Sequence, residues 1–175
     1  MKIVAIFADS LYAIHYEGEA DNEYDRLMEL WTDVNYLREF AKQNQNNIQQ
    51  NVKSFVGEVS EDAELIQDIM DAIEEGEDDW ENFFKPYHNG EMGYRELSLQ
   101  KGRPKGSYLR LFAIRIDSGT YLITGGAIKL VRATQESQEL MNEWQKMKNA
   151  RSYLKYEGVF DNDSFQELKT EQDEN

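Results

Sequence analysis

The sequence predicts an α+β fold: one mainly antiparallel sheet, helices packed on one face of it, and a long helix near the C-terminus. Three observations carry this. Strand-like runs cluster at the N-terminus and between residues 94 and 131. Amphipathic helical runs fill the stretches between and after them, without the regular alternation of a parallel α/β protein. The chain has 175 residues, 40% hydrophobic and 12% aromatic, enough for one sizeable core and too few for two ordinary domains. The expected domain spans 1–168, with 169–175 as a frayed tail.

Lys2–Phe7 and Leu11–Tyr16 read as β-segments separated by a turn at Ala8-Asp9-Ser10. From Glu19 to Lys42 the apolar spacing changes to three and four, which predicts one amphipathic helix ended by the Asn/Gln tract QNQNNIQQN. Val52–Val59 reads as a short extended piece, and Ser60 as the cap of a second helix stopped by Gly76. A short helical piece from Asp78 carries the core candidates Trp80, Phe83 and Phe84 up to Pro86. Tyr87–Gly93 is turn-like and Tyr94–Leu99 strand-like. After Arg132, Thr134 suits the cap of a long helix with Gly158 near its end, and a last short helix is expected from Asp161.

The chain has no cysteine, which removes disulfides, thiolate metal sites and a cysteine nucleophile. No run approaches the roughly 18 apolar residues of a membrane span, and the N-terminus lacks the pattern of a signal peptide, so a cytoplasmic protein without a membrane partner is expected. The net charge of −15 gives no general attraction to nucleic acid.

Against that background Gln100–Arg132 stands out. From Lys101 onward it holds seven basic residues (Lys101, Arg103, Lys105, Arg110, Arg115, Lys129, Arg132) and one acid, Asp117. Two apolar runs flank Asp117-Ser118-Gly119, the turn chemistry of an antiparallel hairpin. Alternation places Arg110 on a face with Phe112, Ile114 and Ile116, flanked by Tyr108, and Arg115 on the other face with Leu109, Leu111 and Ala113. Arg110 therefore either snorkels from the core edge or occupies a partly desolvated concave site.

Other signals are weaker. Dinucleotide, P-loop and zinc-protease motifs are absent, and no cofactor is implied. Gly125-Gly126 reads as a bulge or bend in a strand, with close approach of a ligand as the alternative. His15 and His88 are isolated from any evident partner. Asp161-Asn162-Asp163 starts like a calcium loop, but Phe165 takes the next ligand position. The acidic run Glu74–Asp79 reads as a solvated helix end. Lys101-Gly-Arg103-Pro104-Lys105-Gly resembles the core of an AT-hook, which implies minor-groove DNA binding; an ordinary basic turn is the alternative.

A wider resemblance covers Ser107 to about Lys148. The stretch SYLRLFAIRIDSGTYLITGGAIKLVRATQ and the helix-like run after it resemble the C-terminal meander of RelE and HigB-type toxins: an arginine-bearing strand, a short turn, an apolar strand ending near glycine and lysine, then a helix. The resemblance implies a small α+β fold, a helix-turn-helix antitoxin as partner, and metal-independent cleavage of messenger RNA on the ribosome. By position it makes Arg110 and Lys129 catalytic candidates, with Arg115 a looser one, and Lys101, Arg103 and Lys105 phosphate-binding candidates. A non-enzymatic acidic interaction protein, in which the basic residues supply only internal ion pairs, is the alternative from a different class, with DNA binding through the Gly-Arg-Pro turn as a third.

Overall fold

The computed structural model describes residues 1–87, 95–130 and 138–175. It opens with two strands, β1 (Lys2–Phe7) and β2 (Leu11–His15), whose turn holds Asp9 at a φ of 73°. Aspartate is one of the few residues besides glycine that visit this region readily.

The helix expected from Glu19 to Lys42 is two helices, α1 (Glu23–Trp31) and α2 (Val34–Gln43). Asp33 makes the break: its carboxylate accepts the N–H groups of Asn35 and Tyr36 at 2.9 and 3.2 Å, starting a new helix. Apolar spacing continues across the junction and so conceals it. A second correction concerns Val52–Val59, which is helical. Asn51 accepts the N–H of Ser54 at 2.8 Å and starts α3 (Val52–Glu74), so Ser60 lies inside a helix. Gly76, with φ 82°, follows its end as expected. The short α4 (Trp80–Phe83) buries both terminal aromatics and runs directly into β3 (Phe84–Pro86).

The strand expected at Tyr94–Leu99 appears further along as β4 (Ser98–Gly102), and the hairpin is β5 (Leu109–Asp117) with β6 (Thr120–Ile128). The turn expected at Tyr87–Gly93 lies almost wholly outside the described residues, as do His88, Arg132 and Thr134. Two helices close the chain, α5 (Gln138–Tyr156) and α6 (Asn162–Glu174). The calcium-like Asp161-Asn162-Asp163 serves as the start of α6, where Asp161 and Ser164 form a reciprocal capping box. The tail does not fray from Lys169: α6 continues to Glu174, and the Gln172 amide accepts the Ile3 N–H at 2.8 Å and donates to the Met1 carbonyl at 3.0 Å. These two bonds also occupy backbone groups on the open edge of β1.

The molecule is an α+β protein; among the described residues its sheet has six strands in the order β1-β2-β6-β5-β4-β3. Every neighbouring pair is antiparallel except β2 and β6. Helices cover both faces rather than one. Leu109, Leu111 and Ala113 of β5 meet residues of α1 to α4, among them Trp31, Leu37, Phe55 and Trp80. Phe112, Ile114 and Ile116 meet Met147 and Leu154 of α5 and Phe165 of α6. A central strand with apolar residues at both parities cannot leave either face in water. Tyr108 departs from the expected alternation: it precedes β5, packs on Phe55 with ring centroids 5.2 Å apart, and donates its hydroxyl to Gln50 at 2.7 Å.

Gly125-Gly126 is a bulge, and more than a bulge. Phe112 pairs with Gly125 and Ala113 with Ile123, which leaves Thr124 as the extra residue. A Cβ on Gly125 would overlap the Glu143 carboxylate of α5. A Cβ on Gly126 would lie 2.7 Å from the Arg110 carbonyl oxygen and 2.8 Å from the Trp31 ring of α1. The two glycines thus admit one helix on each side of the sheet. Gly126→Ala, which presses on backbone and a fully buried ring, is expected to lose about 1–3 kcal/mol in chemical denaturation. Gly125→Ala meets no backbone but the heads of Glu143 and Lys146, which can shift at the cost of the Glu143 bond to the Gly126 N–H, and should lose less. Equal losses would contradict this account.

Among the described residues no helix is long and apolar enough to cross a membrane.

A candidate anion site at one end of the sheet

Strand register gathers the basic residues of β4, β5 and β6. Lys101 stands opposite Phe112, and Arg110 stands opposite Ala127. Lys129 follows the end of β6, its N–H donating to the Tyr108 carbonyl at 2.7 Å. Alternation puts Lys101, Arg110 and Lys129 on the face of Phe112 and Ala127, where β4 ends, β5 begins and β6 ends. Arg103 follows two residues after Lys101.

Burial and neighbouring charge act together on two of these cations, Lys101 and Arg110. Burial, then the charges of Lys129, Arg110 and Arg103, hold the Lys101 ammonium below its ordinary range. Burial and the charge of Arg103 push Arg110 down to about 10. Arg110 is only 7% exposed. Its Nη1 donates to the carbonyls of Ser107 at 2.6 Å and Leu109 at 2.9 Å, whereas its Nε is buried without a partner. No carboxylate among the described residues pairs with Arg110, Lys101, Arg103 or Lys129. A guanidinium fixed by backbone carbonyls, with a donor unmet and other cations near it, is arranged to receive an anion. Lys101 also lies over the Tyr87 ring, 5.5 Å from its centroid, and that ring stacks on Trp144.

The remaining sequence candidates fall elsewhere. Arg103 and Lys105 are exposed on the turn around the buried Pro104. Gly102 belongs to β4, where a Cβ would overlap the Phe83 ring. The Gly-Arg-Pro run is therefore built into the fold and is no free arm for a DNA groove. Arg115 does not join the others. It lies on the opposite face from Arg110 and Lys129, 3.8 Å from Glu81 and 3.5 Å from Glu96. His15 is bonded to the Glu19 carbonyl at 2.7 Å.

Two features leave little or no local signal in the sequence. The first is a cleft of about 560 Å³ between α2, the end of β6 and the start of α5, lined by Tyr36, Phe40, Asn44, Lys129 and Glu139 among others. The second is an ion network beside the glycine pair. Glu23 of α1, 1% exposed, receives Arg26 at 2.6 Å and Lys146 of α5 at 2.6 Å. Glu143 accepts the Gly126 N–H at 2.7 Å and pairs with Lys146 at 3.1 Å. These acids and bases satisfy one another and fasten α1 and α5 to the sheet. Glu23–Arg26 and Glu143–Lys146 are legible as pairs three apart on a helix. The bond from Lys146 to Glu23, which joins them, spans 123 residues and leaves no local signal.

The fold is α+β, with Lys101, Arg103, Arg110 and Lys129 placed at one end of its sheet. The chain matches no protein-family model, no curated protein and no solved structure.

Proposed function

We propose that the protein is a RelE/HigB-like, metal-independent endoribonuclease that acts on messenger RNA. The observation that carries this reading is Arg110, desolvated, fixed through Nη1, unmet at Nε and accompanied by Lys101, Arg103 and Lys129. Cleavage without metal passes through a phosphorane-like state: the 2′-oxygen gives up its proton to water and bonds to the neighbouring phosphorus. The P–O5′ bond breaks to leave a 2′,3′-cyclic phosphate, the departing 5′-oxygen takes a proton from water, and negative charge builds meanwhile on the non-bridging oxygens. Fixed cations aimed at that charge lower the barrier. In this reading Arg110 and Lys129 hold the scissile phosphate. Lys101, Arg103 and Lys105 engage flanking phosphates, whose charge the acidic remainder of the molecule would otherwise repel. A messenger substrate places the activity in the cytoplasm, with a helix-turn-helix antitoxin as the partner that restrains it.

Induced expression with growth and transcript integrity followed together tests the reading. Wild-type protein is expected to stop growth and fragment messages, and Lys129→Ala to restore both. Normal growth with intact transcripts at full expression overturns the reading and leaves the non-enzymatic interaction protein in its place.

A further inference from the structure

Two exposed surface features, on opposite sides of the sheet, have complementary chemistry. The first is a groove of about 470 Å³ between α2 and the first turn of α3. Val34, Val52 and Val56 give it an apolar lining, and Arg38, Lys42 and Lys53 are the exposed cations around it. Val34, Arg38 and Lys42 recur every four residues and so form one stripe along α2. Among the described residues no carboxylate pairs with Arg38 or Lys53, and Lys42 meets only Glu39 of its own helix, at 3.8 Å. The chain has 34 acidic residues against 19 basic, so an apolar groove lined by three cations and no acid runs against the rest of the surface and suits an acidic occupant.

The second feature is the turn between α5 and α6, Tyr156-Glu157-Gly158-Val159-Phe160. Tyr156 is 88% exposed and Phe160 69%. Glu157 lies between them and Asp163 follows, both exposed and neither paired with a cation among the described residues. The backbone that displays these side chains is fixed. Val159 is buried, the Phe160 N–H donates to Ser164 Oγ at 2.9 Å, and the Asn162 N–H donates to the Asp117 carboxylate at 2.9 Å. An aromatic knob held in this way loses little freedom on docking. Because α2 and α3 cover the Leu111 side of the sheet and α5 and α6 the Phe112 side, the knob of one molecule cannot enter its own groove.

We propose that the groove receives the Tyr156–Phe160 turn of a second copy of the chain, with the aromatic rings against the three valines and with Glu157 and Asp163 meeting Arg38, Lys42 and Lys53. The two halves of the contact are different surfaces, so each copy both gives and receives, and the assembly closes as a ring or grows as an open chain. This contact is independent of the ribonuclease reading of the cation site.

Sedimentation equilibrium of the full chain tests it. A contact this small lies at the weak end of specific interfaces, so protein is followed from about 10 μM to about 1 mM. At a salt concentration of about 0.15 M the Debye length is about 8 Å, which screens the −15 charges of two copies from one another but spares ion pairs in contact. The weight-average mass is expected to climb with concentration past that of two chains. Phe160→Ala removes the aromatic anchor and Arg38→Glu sets an acid against acids. Each should weaken association about tenfold or more, with the melting temperature unchanged because both side chains are exposed. The two variants mixed should form a one-to-one dimer and stop there, since one keeps only its groove and the other only its knob. A wild-type chain that stays monomeric throughout overturns the inference and leaves the groove to a different acidic protein. Association that survives either substitution, or a mixture that stays monomeric while wild type associates, also overturns it.

Discussion

Arg110→Ala is expected to lower RNA cleavage about 10²–10³-fold, the range measured when one donor to a developing oxyanion is removed. The size of the effect follows from how the side chain is held. Two backbone carbonyls fix Nη1, so the rest of the guanidinium is oriented before substrate arrives and loses little freedom on binding. Arg110→Lys keeps the charge but lacks the planar fork, and should fall between wild type and alanine. Because Nη1 also satisfies the Ser107 and Leu109 carbonyls, melting temperature must be followed for each variant. Arg115→Ala supplies the comparison. That side chain sits on the opposite face between Glu81 and Glu96, and its loss should alter stability while changing cleavage less than tenfold. Cleavage by folded Arg110→Ala within threefold of wild type, or a larger loss in Arg115→Ala, would remove the catalytic assignment.

How much of this could be read from the sequence depends on the range of the interaction responsible. The β5–β6 hairpin and the buried aromatics of α4 were legible, because alternation, turn residues and aromatic spacing are local. The place of Arg110 on the Phe112 face was legible for the same reason. What failed was caused either by one side chain or by distant chain. Asp33 and Asn51 each start a helix with a single capping side-chain oxygen, and neither disturbs the apolar spacing by which a helix is recognised. Coverage of the sheet on both sides follows from two interleaved apolar sets on β5, already visible in LRLFAIRI, though their meaning depends on what the helices do. The meeting of Lys101, Arg110 and Lys129 required strand order, which no local pattern states. The cleft required α2 and α5 to face one another across more than ninety residues of intervening chain.

The ion network beneath the glycines yields the largest effect expected on stability. Glu23→Ala leaves the two cations without their buried partner, and breaking such a pair costs about 3–5 kcal/mol. Arg26 and Lys146 are 29% and 27% exposed and can turn towards water, which argues for the lower end, about 3 kcal/mol. In a chain of this length that is a fall of roughly 6–12 °C in melting temperature. The acid response separates the two carboxylates. Burial pushes the Glu23 carboxyl up, but the hydrogen bonds and charges of Arg26 and Lys146 outweigh it and hold the group below its ordinary value of 4.5. Its stabilisation is therefore complete above that value and is lost as pH falls through the depressed one. Burial holds Glu143 above 4.5, with the charge of Glu23 adding to it against the opposing Lys146 and the Gly126 N–H. The folded state thus gains relative to the unfolded as pH falls through that raised value, until the gain is complete below 4.5. Wild-type stability, corrected for the general relief of negative charge on acidification, should rise slightly on the neutral side of 4.5 and drop on the acid side. Glu23→Gln should flatten the drop, and Glu143→Gln the rise. Denaturation midpoints across pH 3–7 for the three proteins would decide it, and a drop that persists undiminished in Glu23→Gln would show that Lys146 and Arg26 do not hold α1 to α5 through that carboxylate.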